Sequence, residues 1–138
     1  MADVQGFSIP LNPADPMPRF ATLIGAWQVY VKIDSYIPDV VWGWDELINL
    51  SERHPSELTK PSPISPKRTR LTAAVGLASF NNVEAPQWTW EIYKVEPYWE
   101  GDVLKLRVGL GAQGGPDDPD NGLPIIGKIS YCVSVLVM

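Results

Sequence analysis

The chain has one cysteine, one histidine and a deficit of basic residues. A single cysteine, Cys132, rules out an intrachain disulfide, so the fold has to rest on packing rather than on crosslinks. No basic residue neighbours Cys132 in sequence to lower its pKa, and it reads as a small packing residue. Without a second thiol or imidazole a zinc site has too few ligands. Any Ser-His-Asp or Cys-His machinery would have to use His54. That residue precedes Pro55 in a polar stretch and reads as an ordinary surface side chain.

Lysine and arginine number 11 against 16 aspartates and glutamates, for a net charge of −5. Phosphate backbones and anionic lipid surfaces both select for a basic footprint, so neither nucleic acid nor a membrane surface is the expected partner. The terminal apolar run, Val135 to Met138, is far shorter than the ~18 residues of a membrane-spanning helix. Met1 to Gly6 lack the charged segment and apolar run of a secretory leader. The expectation is a soluble chain without membrane insertion, cytoplasmic or part of a particle released by lysis.

What the chain does have is alternation. Trp27, Val29, Val31 and Ile33 fall on one face of a strand, and Gln28, Tyr30, Lys32 and Asp34 on the other. The same period places Leu71, Ala73, Val75 and Leu77 together, then Leu104, Leu106, Val108 and Leu110, then Ile129, Tyr131, Val133, Val135 and Val137. Val40–Trp44 reads as a shorter strand, and Trp88–Val95 as another. Asp45 to Leu50 offers one or two helical turns, with Asp45 as the cap. No amphipathic helices separate the strands, as a parallel sheet would require. With 138 residues, 45% of them hydrophobic, the chain has enough apolar material for one core. The expected fold is all-β: a single antiparallel β-sandwich or jelly roll of six to seven strands with at most one short helix. A flattened β-barrel is the alternative.

Proline marks the segments outside this pattern. Residues 1–19 hold Pro10, Pro13, Pro16 and Pro18 and read as an extended arm ahead of a domain spanning 20–138. Residues 51–70 hold Pro55, Pro61, Pro63 and Pro66 beside Lys60, Lys67, Arg68 and Arg70, and read as a long loop of the kind that makes contacts.

Chemical motifs are sparse. Gly109–Gly114 matches G-x-G-x-x-G after a strand, but Gly115-Pro116-Asp117-Asp118-Pro119-Asp120 follows, which cannot open a helix and would repel phosphate. A flexible loop is the expectation. Asp117, Asp118, Asp120 and Asn121 supply hard oxygen ligands, so calcium is the one cofactor with chemical support. The EF-hand spacing fails, however: counting from Asp117, Pro119 stands third and Lys128 stands where the bidentate glutamate belongs. Glu91, Glu96, Glu100 and Asp102 lie near Trp88, Trp90 and Trp99, the residue types of glycoside hydrolysis, yet no acid/base pair can be singled out.

Four of the six tryptophans form two Trp-x-Trp pairs, Trp42/Trp44 and Trp88/Trp90. In a strand each pair places its indoles on one face, either as core or as a binding strip. Trp88 and Trp90 share their face with Ile92 and read as core. Trp42 and Trp44, beside Gly43 and close to Tyr36 and Pro38, read as the more exposed pair. Tyr36, Trp42, Trp44, Trp88, Trp90 and Trp99 are therefore the ligand or interface candidates. The reading favours a non-catalytic structural or assembly protein, a homo-oligomer or larger assembly, making subunit contacts through its arm, long loop and aromatic surfaces. The alternative is a carbohydrate-binding module or lectin that stacks sugars on tryptophan, with calcium at Asp117–Asn121.

Overall fold

The computed structural model describes residues 3–8, 19–33, 42–60, 62–81, 89–113 and 123–138. Among these residues seven strands run in the order β1 (Asp3–Ser8), β2 (Arg19–Ile33), β3 (Trp42–Asn49), β4 (Thr69–Asn81), β5 (Thr89–Glu100), β6 (Val103–Gln113) and β7 (Leu123–Val137). Two short helices, α1 (Leu50–Arg53) and α2 (Pro55–Thr59), stand between β3 and β4. All pairings are antiparallel. One sheet has the order β1-β2-β7-β4 and the other β3-β6-β5, so the fold is an all-β sandwich and not a closed barrel.

The alternation read from the sequence is what builds the core. Leu23, Val29, Leu104, Leu106, Val108, Ile129, Val133 and Val135 are fully buried between the sheets. Burying such side chains contributes roughly 1.5–3 kcal/mol each. Two tryptophans also bond the sheets together. Trp27 Nε1 donates to Glu46 Oε2 across 3.2 Å, and Trp99 Nε1 donates to Thr69 Oγ1 across 2.9 Å.

Three local expectations are corrected. Asp45 to Asn49 continue β3 rather than starting a helix, because Glu46 and Ile48 extend the inward alternation of Trp42 and Trp44. The cap is Asn49, whose side chain accepts from Glu52 N at 3.0 Å. A second helical segment follows, seeded by Pro55 at its first turn. Finally, Gly109 and Gly111 are not in a loop, because β6 runs on to Gln113. The backbone there is close-packed: a Cβ on Gly109 would lie 2.6 Å from Tyr93 Cε2. A register shift between Ile92 and Lys94 marks a bulge, which lays the Tyr93 ring over that glycine.

Of the arm at 1–19, Asp3–Ser8 form the edge strand β1, paired with Arg19–Ile24 of β2.

Candidate functional site

Register accounts for the tryptophans first. Trp42 of β3 and Trp90 of β5 both pair with Ala112 of β6, one from each side. One row along, Trp44 and Ile92 flank Leu110. At the far end Trp99 pairs with Leu104. Trp42, Trp44, Trp90 and Trp99 thus share the face that carries the buried residues of β6, and each is half-buried. The small Ala112 leaves room for an indole on either side. The indole nitrogens of Trp42 and Trp44 are themselves buried and find no acceptor among the described residues. Tyr36 and Trp88 lie outside the described residues, as do the calcium candidates Asp117, Asp118, Asp120 and Asn121. Among the described residues no group of three or more His, Cys, Asp or Glu is arranged to hold a metal ion.

His54 is the clearest correction. It is completely buried, not a surface residue. The break between α1 and α2 turns its ring inward, where Nε2 lies 2.8 Å from Tyr131 Oη. Arg53 Nε donates to the same Oη at 3.2 Å. The phenol hydrogen finds an acceptor only if it is donated to His54 Nε2, and that arrangement places the imidazole proton on Nδ1. Nδ1 has no hydrogen-bond partner, and the nearest carboxylate oxygen, Glu57 Oε2, is 4.0 Å away. Burial is the main influence holding the imidazole below its usual pKa; Glu57 acts in the opposite sense and Arg53 adds to the lowering. Arg53 also donates to Ala26 O at 2.8 Å and stands 5.2 Å over the Trp27 ring. The cluster fastens the helical segment to β2 and β7. His54 and Tyr131 face each other inside the protein, and Arg53 joins them from the exposed side.

The helical segment has a second function, as the wall of a cavity of about 410 Å³ facing the β5–β6 turn. Leu58 and Ile64 form apolar wall, Trp99 an aromatic wall, and Pro66, Ser65 and Asp102 further lining. Its polar groups are engaged only in part. Ser51 Oγ accepts from Leu104 N at 2.8 Å, and Thr59 Oγ1 donates to Pro55 O at 2.6 Å. The Trp99 indole donates to Thr69 Oγ1, which in turn donates to Pro66 O at 2.9 Å, so the ring is held in place. Arg19 closes the arrangement from β2, its guanidinium donating to the carbonyls of Glu57, Lys60 and Ser62. This forked donor gathers carbonyls at the end of α2, where a cation is favoured.

The two outer sheet faces differ in charge. On the three-stranded sheet the outward positions include Asp45, Glu91, Lys94, Glu96, Glu100, Lys105 and Arg107. Across β2, β7 and β4 of the other sheet three successive rows carry no charge, with Asp3 of the edge strand β1 standing opposite Ile24 at their margin. They are Thr22–Ser134–Thr72, Ile24–Cys132–Ala74 and Ala26–Ser130–Gly76, read across β2, β7 and β4. Arg70 borders these rows at one end and Lys128 at the other. Ile24 is 38% exposed, and Tyr30, farther along β2, is 64% exposed. The sequence carries this signal as the small, uncharged alternate positions of β2, β4 and β7, of which Thr72, Ala74, Gly76 and Ala78 already suit close packing against another layer; strand order decides which of these positions become neighbours.

No family model matches the chain, and neither a curated protein nor a solved structure does. No helix among the described residues is long and apolar enough to cross a membrane.

Proposed function

We propose that this protein is a non-catalytic building block whose copies associate through the outer face of the four-stranded sheet. The observation that carries this reading is the uncharged patch of Thr22, Ile24, Ala26, Ser130, Cys132, Ser134, Thr72, Ala74 and Gly76 on a chain with 20% charged residues. Depletion of charge at the centre of a patch, with charge at its margin, is what distinguishes an interface core from ordinary surface. Small side chains also let two sheets approach closely face to face.

The nine positions cover three rows on three strands, a flat area of roughly 300 Å². Face-to-face packing would carry the contact onto the flanking rows, toward the roughly 800 Å² that each partner contributes to an interface of standard size.

Analytical ultracentrifugation of the full chain tests this. An oligomer is expected at micromolar concentration. Ala74→Arg or Ser130→Glu should convert it to monomer, while Lys94→Glu on the opposite sheet should leave it intact. Cys132 should be slow to react with a maleimide in the oligomer and fast in the Ala74→Arg monomer. A wild-type chain that stays monomeric, or an oligomer indifferent to Ala74→Arg, would refute the proposal.

A further inference from the structure

We propose that the cavity between the α1–α2 segment and the β5–β6 turn is a binding site for a neutral saccharide, with Trp99 as the stacking ring and Asp102 as the hydroxyl acceptor. This does not rest on the assembly reading, since the cavity and the uncharged sheet face share no residues.

Three properties of the lining define the ligand. The first is charge. Asp102 is the only ionisable group among the described residues of the lining, and the whole chain is acidic, so uronates, sulfated sugars and nucleotides are repelled. The second is hydrogen-bonding polarity. Prolines have no N–H to offer, and the indole N–H of Trp99 and the hydroxyl hydrogen of Thr59 are already donated within the protein. Ser51 keeps its hydroxyl hydrogen, because its Oγ only accepts from Leu104 N, and Ser65 adds a second hydroxyl beside the Asp102 carboxylate. The lining therefore offers both donors and a strong acceptor, which fits a polyol whose hydroxyls both donate and accept better than the backbone of a proline-rich peptide, which has few N–H groups for Asp102. The third is shape. One aromatic plane with Leu58, Ile64 and Pro66 around it matches a ring whose C–H face is apolar and whose rim carries hydroxyls. A small cation would want several aromatic faces, and among the described residues one aromatic ring, Trp99, lines this cavity.

The site is also built in advance. The relay from Trp99 through Thr69 to Pro66 fixes the ring, and Arg19 fixes the opposite wall, so little ordering is required on binding. The volume of about 410 Å³ falls in the range of small-ligand sites.

The test is an NMR titration of the nitrogen-15-labelled full chain. The probes are cellohexaose, mannohexaose and N-acetylchitohexaose, with polygalacturonate, choline and a polyproline peptide as comparators, each up to about 10 mM. At least one neutral oligosaccharide should shift the Trp99 indole and Asp102 amide signals saturably. Asp102→Ala, in an exposed turn and so without cost to folding, should weaken that binding about tenfold. Thr69→Val, which frees the Trp99 indole, should weaken it while leaving the remaining spectrum in place. The proposal falls if no neutral sugar moves these signals, if Asp102→Ala binds as well as wild type, or if choline or the peptide binds there more tightly.

Discussion

The Tyr131 hydroxyl lies 2.8 Å from Nε2 of His54, a residue 77 positions away in sequence, and both side chains are sealed from solvent. Tyr131 stands on the central strand β7 and His54 at the break between α1 and α2, so this contact joins the helical segment to the sandwich. Replacing the phenol with Tyr131→Phe leaves His54 Nε2 and Arg53 Nε without a partner. The expected loss in a urea titration at pH 7 is about 1–3 kcal/mol.

The same pair sets a pH dependence. His54 has a lowered pKa in the folded protein, so between its unfolded value near 6.5 and its folded value the unfolded chain binds the extra proton. Stability is therefore full above that unfolded value and falls as pH drops through it toward the lowered folded value, with a slope of at most about 1.4 kcal/mol per pH unit. His54→Gln should lower stability at pH 7 and flatten this slope. Denaturant midpoints measured from pH 7.5 to about 5.5 would show it, above the range where carboxylates begin to titrate.

The architecture was legible because hydrophobic period sets which side of a strand is buried, and Leu104, Leu106, Val108 and Leu110 declare theirs without help. The helical segment was not. Leu58 and Ile64 lack a strand's period, and what orders them is Arg19, 38 to 43 residues away in sequence. Nothing local in Arg19 shows that it will meet the carbonyls of Glu57, Lys60 and Ser62. The burial of His54 was hidden for the same reason, since its partner belongs to the last strand. The Trp-x-Trp pairs declared a shared face but not their relation to each other: the meeting of Trp42 and Trp90 across Ala112 depends on β6 lying between β3 and β5.

Arg19 yields a prediction with a spatial readout. Arg19→Ala should cost about 1–3 kcal/mol by leaving carbonyls without their charged donor. The loss should concentrate in the segment it holds. Hydrogen exchange at Lys60 and Ile64, whose amides bond Ser56 O and Leu58 O, should accelerate more than exchange in β6. Arg19→Lys should recover only part of the loss, because a single ammonium cannot reproduce the fork. Uniform acceleration across all strands would show that Arg19 acts on global stability alone.

Gly25 and Gly109 each seat a tyrosine, but with different consequences. A Cβ on Gly25 would sit 2.3 Å from the Tyr131 hydroxyl, on a ring locked by His54 and Arg53, so neither side can yield. Gly25→Ala should cost about 3 kcal/mol or more, combining overpacking with damage to the buried hydrogen bonds. A Cβ on Gly109 would meet Tyr93 at 2.6 Å, but that ring is 53% exposed and its hydroxyl makes only long contacts, 3.4 Å to Trp44 O and 3.3 Å to Asp45 Oδ1. The Tyr93 ring can swing away into solvent, so Gly109→Ala should cost only about 1–2 kcal/mol. A double-mutant cycle separates the two cases. Adding Tyr93→Ala should relieve the ring's share of the Gly109→Ala penalty and leave the share of Lys94 Cβ, which stands 2.9 Å from the new Cβ, whereas Tyr131→Phe should leave most of the Gly25→Ala penalty, because the ring carbons would still stand 2.5 and 2.9 Å from the new Cβ. Additive penalties at Gly109 would show that its glycine answers to Lys94 on the paired strand β5 and not to the ring above it.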